Sequence, residues 1–443
     1  MPNVSTNRTG SERVRKVGRI LTVLALVATF VATLTPIPGN AVSADFWCVT
    51  CGELGSLDFA ANIVMFIPLG LALALWSGRR WRTVAICMAV TMFIEAMQVR
   101  IVVGRDSSLG DLVANSLGGW LGAELALMWA TIVWPRPSVA KWLAVCAAAM
   151  VALIGVLTSL GMQPARVPTS LWVQWVPVRY SYEAFTGRLL KFDINGIDLV
   201  APFPPSTVGL SRAIAGEPWR ATATIDRAGL SATRSLIVRV ADENSILITV
   251  EQRGTDLSCH QKTRSADFRL RSPRVAVPNA LRGTPPRAPG GGDTLRLICS
   301  RADHQLIAGV VDGSQSRYET VRLSPSLGWM LVSPLDLPAE RRLLWIGAMW
   351  LIALGIPGGF WVARARGQST DPHGVAVPAI AIVLAICVMQ SIAPAVAGTA
   401  PGALWEWLAS LGGVAVGAGL ARVVPARRVE ANAGIQRSEN RQR

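Results

Sequence analysis

The alternation of apolar and polar stretches divides the chain before any motif is read. Apolar runs of ~18 residues or more are long enough to cross a bilayer as helices. Eight occur: 20–37 ("ILTVLALVATFVATLTPI"), 59–76 ("FAANIVMFIPLGLALALW"), 83–99, 111–134, 142–161 ("WLAVCAAAMVALIGVLTSLG"), 343–363, 375–393 and 403–424. Residues 164–342 follow another rhythm. Short alternating stretches, "WRATATI" (219–225), "RSLIVRVA" (234–241), "SILITVEQ" (245–252), "DTLRLICS" (293–300) and "QLIAGVV" (305–311), are separated by turn signals. Such lengths and alternation predict antiparallel strands in a sandwich. "NG" at 195–196 and "DG" at 312–313 are hairpin turns, and "RGTPPRAPGGG" (282–292) reads as a mobile loop.

Charge orients the spans, because basic residues collect on the cytoplasmic side. Arg8, Arg13, Arg15, Lys16 and Arg19 precede span one. Arg79, Arg80 and Arg82 lie between spans two and three, Arg136 and Lys141 between four and five, and Arg364 and Arg366 after six. Arg422, Arg427 and Arg428 close the chain. All share one side if both termini are cytoplasmic. Loop 38–57 holds only acidic charges, Asp45 and Glu53, and loop 100–110 is a mild exception with Arg100 and Arg105. The expected organisation is a cytoplasmic tail (1–19), a membrane domain (20–161), an extracytoplasmic sandwich (164–342), a three-span region (343–424) and a basic cytoplasmic tail (425–443), all in a bacterial cytoplasmic membrane. The start of span one with "VSA" at 42–44 also resembles a signal peptide with a cleavage site; cleavage would leave the other spans unchanged.

Composition agrees. Half the residues are hydrophobic (51%) and only 16% are charged, below the roughly 25% of a soluble domain. The net charge of +15 would suggest nucleic acid in a soluble protein. Here the membrane charge bias explains much of it, and no aromatic–basic run supports such a partner, so none is expected.

The chain echoes itself. "NSLGGWLGAELA" (115–126) recurs as "ASLGGVAVGAGLA" (409–421) with one residue inserted, "EAMQ" (95–98) as "CVMQ" (387–390), and "FIPLG" (66–70) as "GIPGG" (355–359). Spans two to four then correspond to six to eight, and one to five. The expected fold class is a mainly α membrane protein whose eight helices form two parallel four-helix repeats. Gly- and Ala-rich membrane helices also resemble each other by composition alone. In this alignment Glu95 matches Cys387, Asp111 matches Trp405, Asn115 matches Ala409, and Asp58 and Asn62 fall near Gly347 and Leu351. The first half keeps polar residues; the second reads as scaffold.

Charges near hydrocarbon cost about 2.5–3.5 kcal/mol each on insertion scales, so their concentration in the first half asks for a reason. Asp58 and Asn62 share one helix face, Glu95 and Gln98 a second, Asp111 and Asn115 a third. With Arg105 and Asp106 in the outer loop, all eight are expected at the outer mouth of one helix cluster. Gly118 and Gly122 give span four a face for close helix approach.

"DFAANIVMFIPLG", "IEAMQ" and "GRDSSLGDLVANSLGGWLG", in this order, resemble the VanZ-like membrane proteins over about residues 55–130. The founding member of that family is associated with low-level resistance to the glycopeptide teicoplanin. The resemblance marks Asn62, Pro68, Gly70, Glu95, Gln98, Arg105, Asp111, Asn115 and Gly119 as pattern positions. It implies a cell-envelope role without supplying a reaction. The inserted domain more loosely resembles concanavalin A-like, laminin-G-like sandwiches, without a sugar-site signature.

Four readings of the polar cluster stay open at this point. It is helix glue; or a site for a membrane lipid, envelope glycan, lipid-linked precursor or glycopeptide headgroup; or an enzymatic centre, with Glu95 or Asp111 as acid or base and Arg105 holding phosphate; or part of a transport path. Pro68 reads as a kink. Cys48 and Cys51 form a CxxC with no βαβ context for redox work, so a local disulfide or free thiols is expected. Cys259 and Cys299 would lie in an oxidising compartment and are candidates to pair. Cys259–His260 and Cys299–His304 fit no zinc spacing. No phosphate loop, hydrolase elbow or nucleotide fingerprint occurs, so no metal or cofactor is expected. His373 is expected on the surface. Trp47, Trp134, Trp142 and Trp345 read as interfacial anchors.

Overall fold

The apolar runs are helices. The computed structural model describes all residues except 1–4, 37–45, 101, 103–107, 178–181, 201–206, 217, 227–233, 244, 282–293, 339–342, 367–372 and 425–443. Among the described residues, eight helices are long and apolar enough to cross a membrane. They include α1 (Ser5–Leu34), α2 (Gly55–Ser77), α3 (Arg80–Arg100), α4 (Leu109–Val133) and α5 (Pro137–Gly161). The helix α1 begins well before the apolar run, within the basic lead-in. A short helix α6 (Thr207–Ala215) and a one-turn helix α7 (Gly328–Val332) belong to the inserted region. The remaining spans are α8 (Leu344–Arg366), the composite α9 (His373–Cys387) with a π turn (Val388–Ile392) and α10 (Ala393–Ala397), and α11 (Leu404–Val423).

The spans pack as two sets. In the first, α2 crosses α4 intimately while α1 lies on α2 and α3, and α3 on α4; in the second, α8 crosses α11 while α5 lies on α8 and α9. Glycine allows both crossings. A Cβ on Gly118 would collide with the Ile63 carbonyl oxygen, and one on Gly122 with that of Ile67. In the second set Gly413 meets the Ile352 carbonyl and Gly417 that of Ile356 in the same way. Gly70 abuts Gly119 as Gly359 abuts Val414. Pro68 in α2 and Pro357 in α8 occupy matching places, and each helix continues through its proline.

The inserted region is two facing antiparallel sheets. One has the order β1 (Trp172–Trp175), β5 (Arg234–Ala241), β6 (Ile246–Arg253), β7 (Asp256–Gln261), β8 (Arg274–Val277). The other has β11 (Gln315–Arg322), β10 (Gln305–Asp312), β9 (Thr294–Ala302), β4 (Trp219–Asp226), β2 (Leu189–Ile194), β3 (Ile197–Asp198). All five stretches read as strands are strands. The "NG" turn joins β2 to β3 with Asn195 and Gly196 at positive φ, as a two-residue hairpin of this hand requires. The segment 282–292 lies outside the described residues.

Buried Trp219, Phe192, Ile194, Ile237, Val250 and Leu297 fill the space between the sheets. Cys259 of β7 and Cys299 of β9 are bonded, so a disulfide crosses this core. Closing a loop of this sequence separation, 40 residues, is worth about 4 kcal/mol in the chain-entropy model.

The sandwich stands on the second helix set. Gln163, just after α5, donates to the Ala397 carbonyl at 2.9 Å. The Ala400 amide donates to the Leu323 carbonyl at 3.0 Å, and Arg322 to the Pro401 carbonyl at 3.0 Å. The same sandwich reaches over the first set, where Arg269 donates to the Thr50 hydroxyl at 3.5 Å.

Candidate functional site

The sandwich-side mouth of the first helix set is built where α2 and α4 begin and α3 ends. Ser108 is its organiser. Its extended backbone makes it the N-cap of α4, and its hydroxyl accepts from the Asp111 amide at 3.0 Å, satisfying one of the orphan donors of a helix start. Its own amide donates to Glu95 at 3.1 Å, tying α3 to α4. Asp111 lies in the first turn, where the helix dipole favours negative charge; its carboxylate accepts from the Asn62 amide of α2. Glu95 and Asp111 lie within electrostatic reach of each other. Gln98 turns to α1 and donates to the Thr33 carbonyl at 3.0 Å. Asn115, one turn below Asp111, is 2% exposed. Its Oδ1 has no hydrogen-bond partner among the described residues.

Five of the eight expected residues, Asn62, Glu95, Gln98, Asp111 and Asn115, therefore gather at the mouths of α1–α4. Asp58 belongs to the same rim but acts on Arg271 of the sandwich. Arg105 and Asp106 lie outside the described residues.

A disulfide shapes the rim. Cys48 and Cys51 are bonded, folding residues 46–54 over the start of α4. There the Leu109 amide donates to the Phe46 carbonyl at 2.7 Å. Gly110 packs so closely on the Val49 carbonyl that no Cβ would fit.

Above this loop the structure shows what the sequence reading missed. A cavity of about 600 Å³ lies between the loop and the sheet β5–β8. Gly52, Glu53 and Leu54 form one wall. Arg234, Lys262, Arg269, Arg271, Arg274 and His260 come from the sandwich. Beneath them, fully buried Glu251 accepts from Arg234 at 2.7 Å and Ser258 at 2.9 Å and pairs with Arg274 at 3.1 Å. Asp336 is shared by Arg234, Arg253, Arg271 and Arg274 at 3.0–3.4 Å. Burial raises the Asp336 pKa, but Arg274 and Arg234 more than offset this and hold it below the usual carboxylate range. Burial, then Arg274, pushes His260 down to about 4, so its imidazole is neutral near pH 7. Burial likewise lowers Arg271. The available signal was "RLRSPR" (269–274), three arginines within six residues.

The mouth of the second set corrects one part of the sequence alignment. The matching crossings place Gly413 with Gly118 and Gly417 with Gly122, so no residue is inserted. Counting back from those glycines, Asp111 falls at Glu406 and Asn115 at Ser410, not at Trp405 and Ala409. The second mouth is therefore not stripped of polar groups. Its two polar counterparts are engaged by the fold, although Gln390 Oε1 beside them is buried without a hydrogen-bond partner among the described residues. Glu406 accepts from the Ala403 amide at 3.0 Å, capping its own helix, and from the sandwich hydroxyl of Ser324. Ser410 accepts from Gln390 at 2.9 Å, which sits in the π turn.

Among the described residues, no three or more His, Cys, Asp or Glu side chains group as metal ligands. Trp47, Trp142 and Trp345 are exposed, and Trp134, the C-cap of α4, is partly buried.

Comparison with known proteins agrees with the first helix set. Residues 7–133 match the model of the VanZ/LLP1 family, a stretch that begins in α1 and ends with the last residue of α4. No curated protein and no solved structure matches the chain. The polar mouth thus belongs to a VanZ-like domain at residues 7–133, in a multi-pass helical chain that carries a β-rich insertion farther along.

Proposed function

We propose that the outer mouth of α1–α4 binds the polar headgroup of an envelope lipid, glycan-lipid or lipid-linked precursor. By holding it, the protein alters how that component, or a glycopeptide antibiotic, meets the membrane. One observation carries this reading: Asn115 is buried with an unpartnered Oδ1, below the Asn62–Asp111 pair. A buried polar atom without a partner costs about 1–3 kcal/mol, which a donor supplied by a ligand would recover. A ligand hydroxyl or amine entering from the outside would satisfy it.

The orientation follows the same reading: termini cytoplasmic, sandwich outside. Its support is that both disulfides lie on the sandwich side, as an oxidising compartment favours. Labelling of a Ser314→Cys variant at the β10–β11 turn from outside intact cells is the expected result; labelling from the cytoplasm alone would reverse the topology. The matched glycine crossings support reading the two helix sets as a duplication in which one copy keeps an open site. The two facing sheets suit a concanavalin A-like class, which a solved structure of the domain would test.

The deciding experiment is mass spectrometry of lipid extracted from the purified full-length protein. The expected outcome is a stoichiometric envelope lipid or precursor, reduced in Asn62→Ala and Asp111→Asn variants that still fold. A clean extract, or equal retention by those variants, would count against the headgroup site.

A further inference from the structure

The cavity between the sandwich and the disulfide loop has a composition that its own ion pairs do not use up. Five lysine and arginine side chains line it against two acids, Glu53 and Asp336, with Glu251 beneath. Asp336 faces four guanidinium groups. Each guanidinium carries five N–H donors, while a carboxylate has two oxygens. Main-chain carbonyls take some of the remainder, since Arg271 donates through Nε to Ser333 at 2.7 Å and through Nη2 to Pro334 at 2.9 Å, and Arg253 through Nη1 to Asp336 at 2.9 Å, but not all of it. Arg274 shows it directly: its side chain is 12% exposed, and its Nε has no partner among the described residues. Among the described residues, Lys262 and Arg269 make a 3.4 Å pair with Asp267 and a 3.5 Å bond to Thr50. Neutral His260 and the Tyr182, Ser245 and Thr249 hydroxyls of the same wall add uncharged hydrogen-bonding groups.

We infer that this cavity is an anion site that takes a phosphate group, held by Arg271 and Arg274 on one side and by Lys262 and Arg269 on the other. Phosphate fits the planar fork of guanidinium, which binds it through two parallel bonds. The inference extends the headgroup reading to a second, charged contact point. Two sources share this chemistry. Glu53 and Leu54 are within one turn of the start of α2, so the cavity sits at the end of a span, the level expected for bilayer phosphates. A soluble phosphate compound would meet the same side chains.

The test is calorimetric titration of the full-length protein in a neutral maltoside detergent. The probes are dihexanoyl phosphatidylglycerol, its neutral counterpart dihexanoyl glycerol, and inorganic phosphate. The phosphatidylglycerol is expected to bind and the neutral lipid not to. The double variant Lys262→Gln/Arg269→Gln should weaken phosphate-group binding at least about tenfold, as loss of a charged hydrogen bond does. Arg271→Gln should weaken it similarly. The double variant Arg220→Gln/Arg296→Gln removes the same charge from exposed positions of the other sheet and should leave affinity unchanged.

Tighter binding of phosphatidylglycerol than of inorganic phosphate assigns the lipid; equal affinities assign a soluble phosphate. No anion binding, or affinities that the cavity variants do not move more than the control pair does, overturns the inference. Asn62→Ala separates this from the proposed function. If it loses co-purifying lipid while the cavity variants bind anions as the unmodified protein does, the headgroup reading stands and this one fails. If Lys262→Gln/Arg269→Gln alone loses anion binding, this inference stands without the other.

Discussion

The two helix sets share a crossing and differ in what covers their sandwich-side ends. Both bring a proline-bearing helix against a glycine-faced one through backbone contacts. Both place an acid in the first turn of the second helix of that pair, Asp111 and Glu406. In the second set that acid is spent on its own helix cap and on Ser324 of the sandwich. In the first set the acid takes an amide from a neighbouring helix, Asn115 is left incomplete beneath it, and the sandwich forms the far side of a cavity. The same helical frame serves once as a foundation and once as a mouth. The difference is made by the insertion, which docks on one set and overhangs the other.

The strongest way to break this comparison is at the crossings. Gly118→Val and Gly413→Val each force a side chain against backbone, where no rotamer change relieves it. Overpacking costs about 1–3 kcal/mol when neighbours can shift and more when they cannot. Both variants should lose at least about 3 kcal/mol, seen as a large drop in the melting temperature of the detergent-purified protein. A tolerant Gly413→Val beside a collapsed Gly118→Val would show that the crossings are not equivalent.

The next effect separates the mouths. Glu406→Gln weakens charge-assisted bonds to Ser324 and to the helix start, worth about 1.5–3 kcal/mol. It should lower stability by that order and leave lipid retention intact. Asp111→Asn should show the reverse emphasis, losing retention of co-purifying lipid. Equal loss of retention in both would mean that stability, not a site, governs it.

Much of this was legible in the sequence because hydrocarbon imposes a strict rule on helix length. The eight spans, the principal strands and the convergence of Asn62, Glu95 and Asp111 followed from periodicity and topology. Asp58 was placed on the correct rim, but its relation to Arg271 spans more than two hundred residues and no local pattern reports it. The cavity stayed hidden for the same reason: Arg234, Lys262, Arg271 and Asp336 come from separate strands and loops. The repeat alignment slipped by one residue because "SLGG" matches "SLGG" by letter. Contacts choose otherwise, since Gly412 faces open space while Gly413 takes the part of Gly118. The readiest letter match moved Glu406 and Ser410 out of view and made the second mouth look empty.

A smaller effect tests the sandwich face above the first mouth. Folded His260 titrates at about 4 instead of 6.5, burial first and Arg274 second. At intermediate pH the unfolded chain binds a proton that the folded chain refuses, so stability falls as pH drops from about 6.5 toward 4. The groups around it are Arg234, Arg274, Glu251 and Asp336. Asp336 has a lowered pKa, so its contribution is lost only below the ordinary range of a carboxylate, in a separate window. The expected loss is on the order of 2 kcal/mol between pH 7 and 4.5. His260→Asn should flatten that part of the melting-temperature profile. An unchanged profile would remove His260 as the cause.

The smallest effect is the most telling. Asn115→Leu replaces the amide with an apolar group of similar volume. If Asn115 were structural glue, the change would break a bond and cost more than about 1 kcal/mol. With Oδ1 unpartnered, replacing it removes a buried, unsatisfied group, and stability should stay within about 1 kcal/mol or rise. Retention of co-purifying lipid should fall at the same time. A variant that melts normally and purifies without lipid would place the cost of the buried amide on the ligand side of the balance. One that melts several degrees lower and keeps its lipid would return Asn115 to the packing of α4.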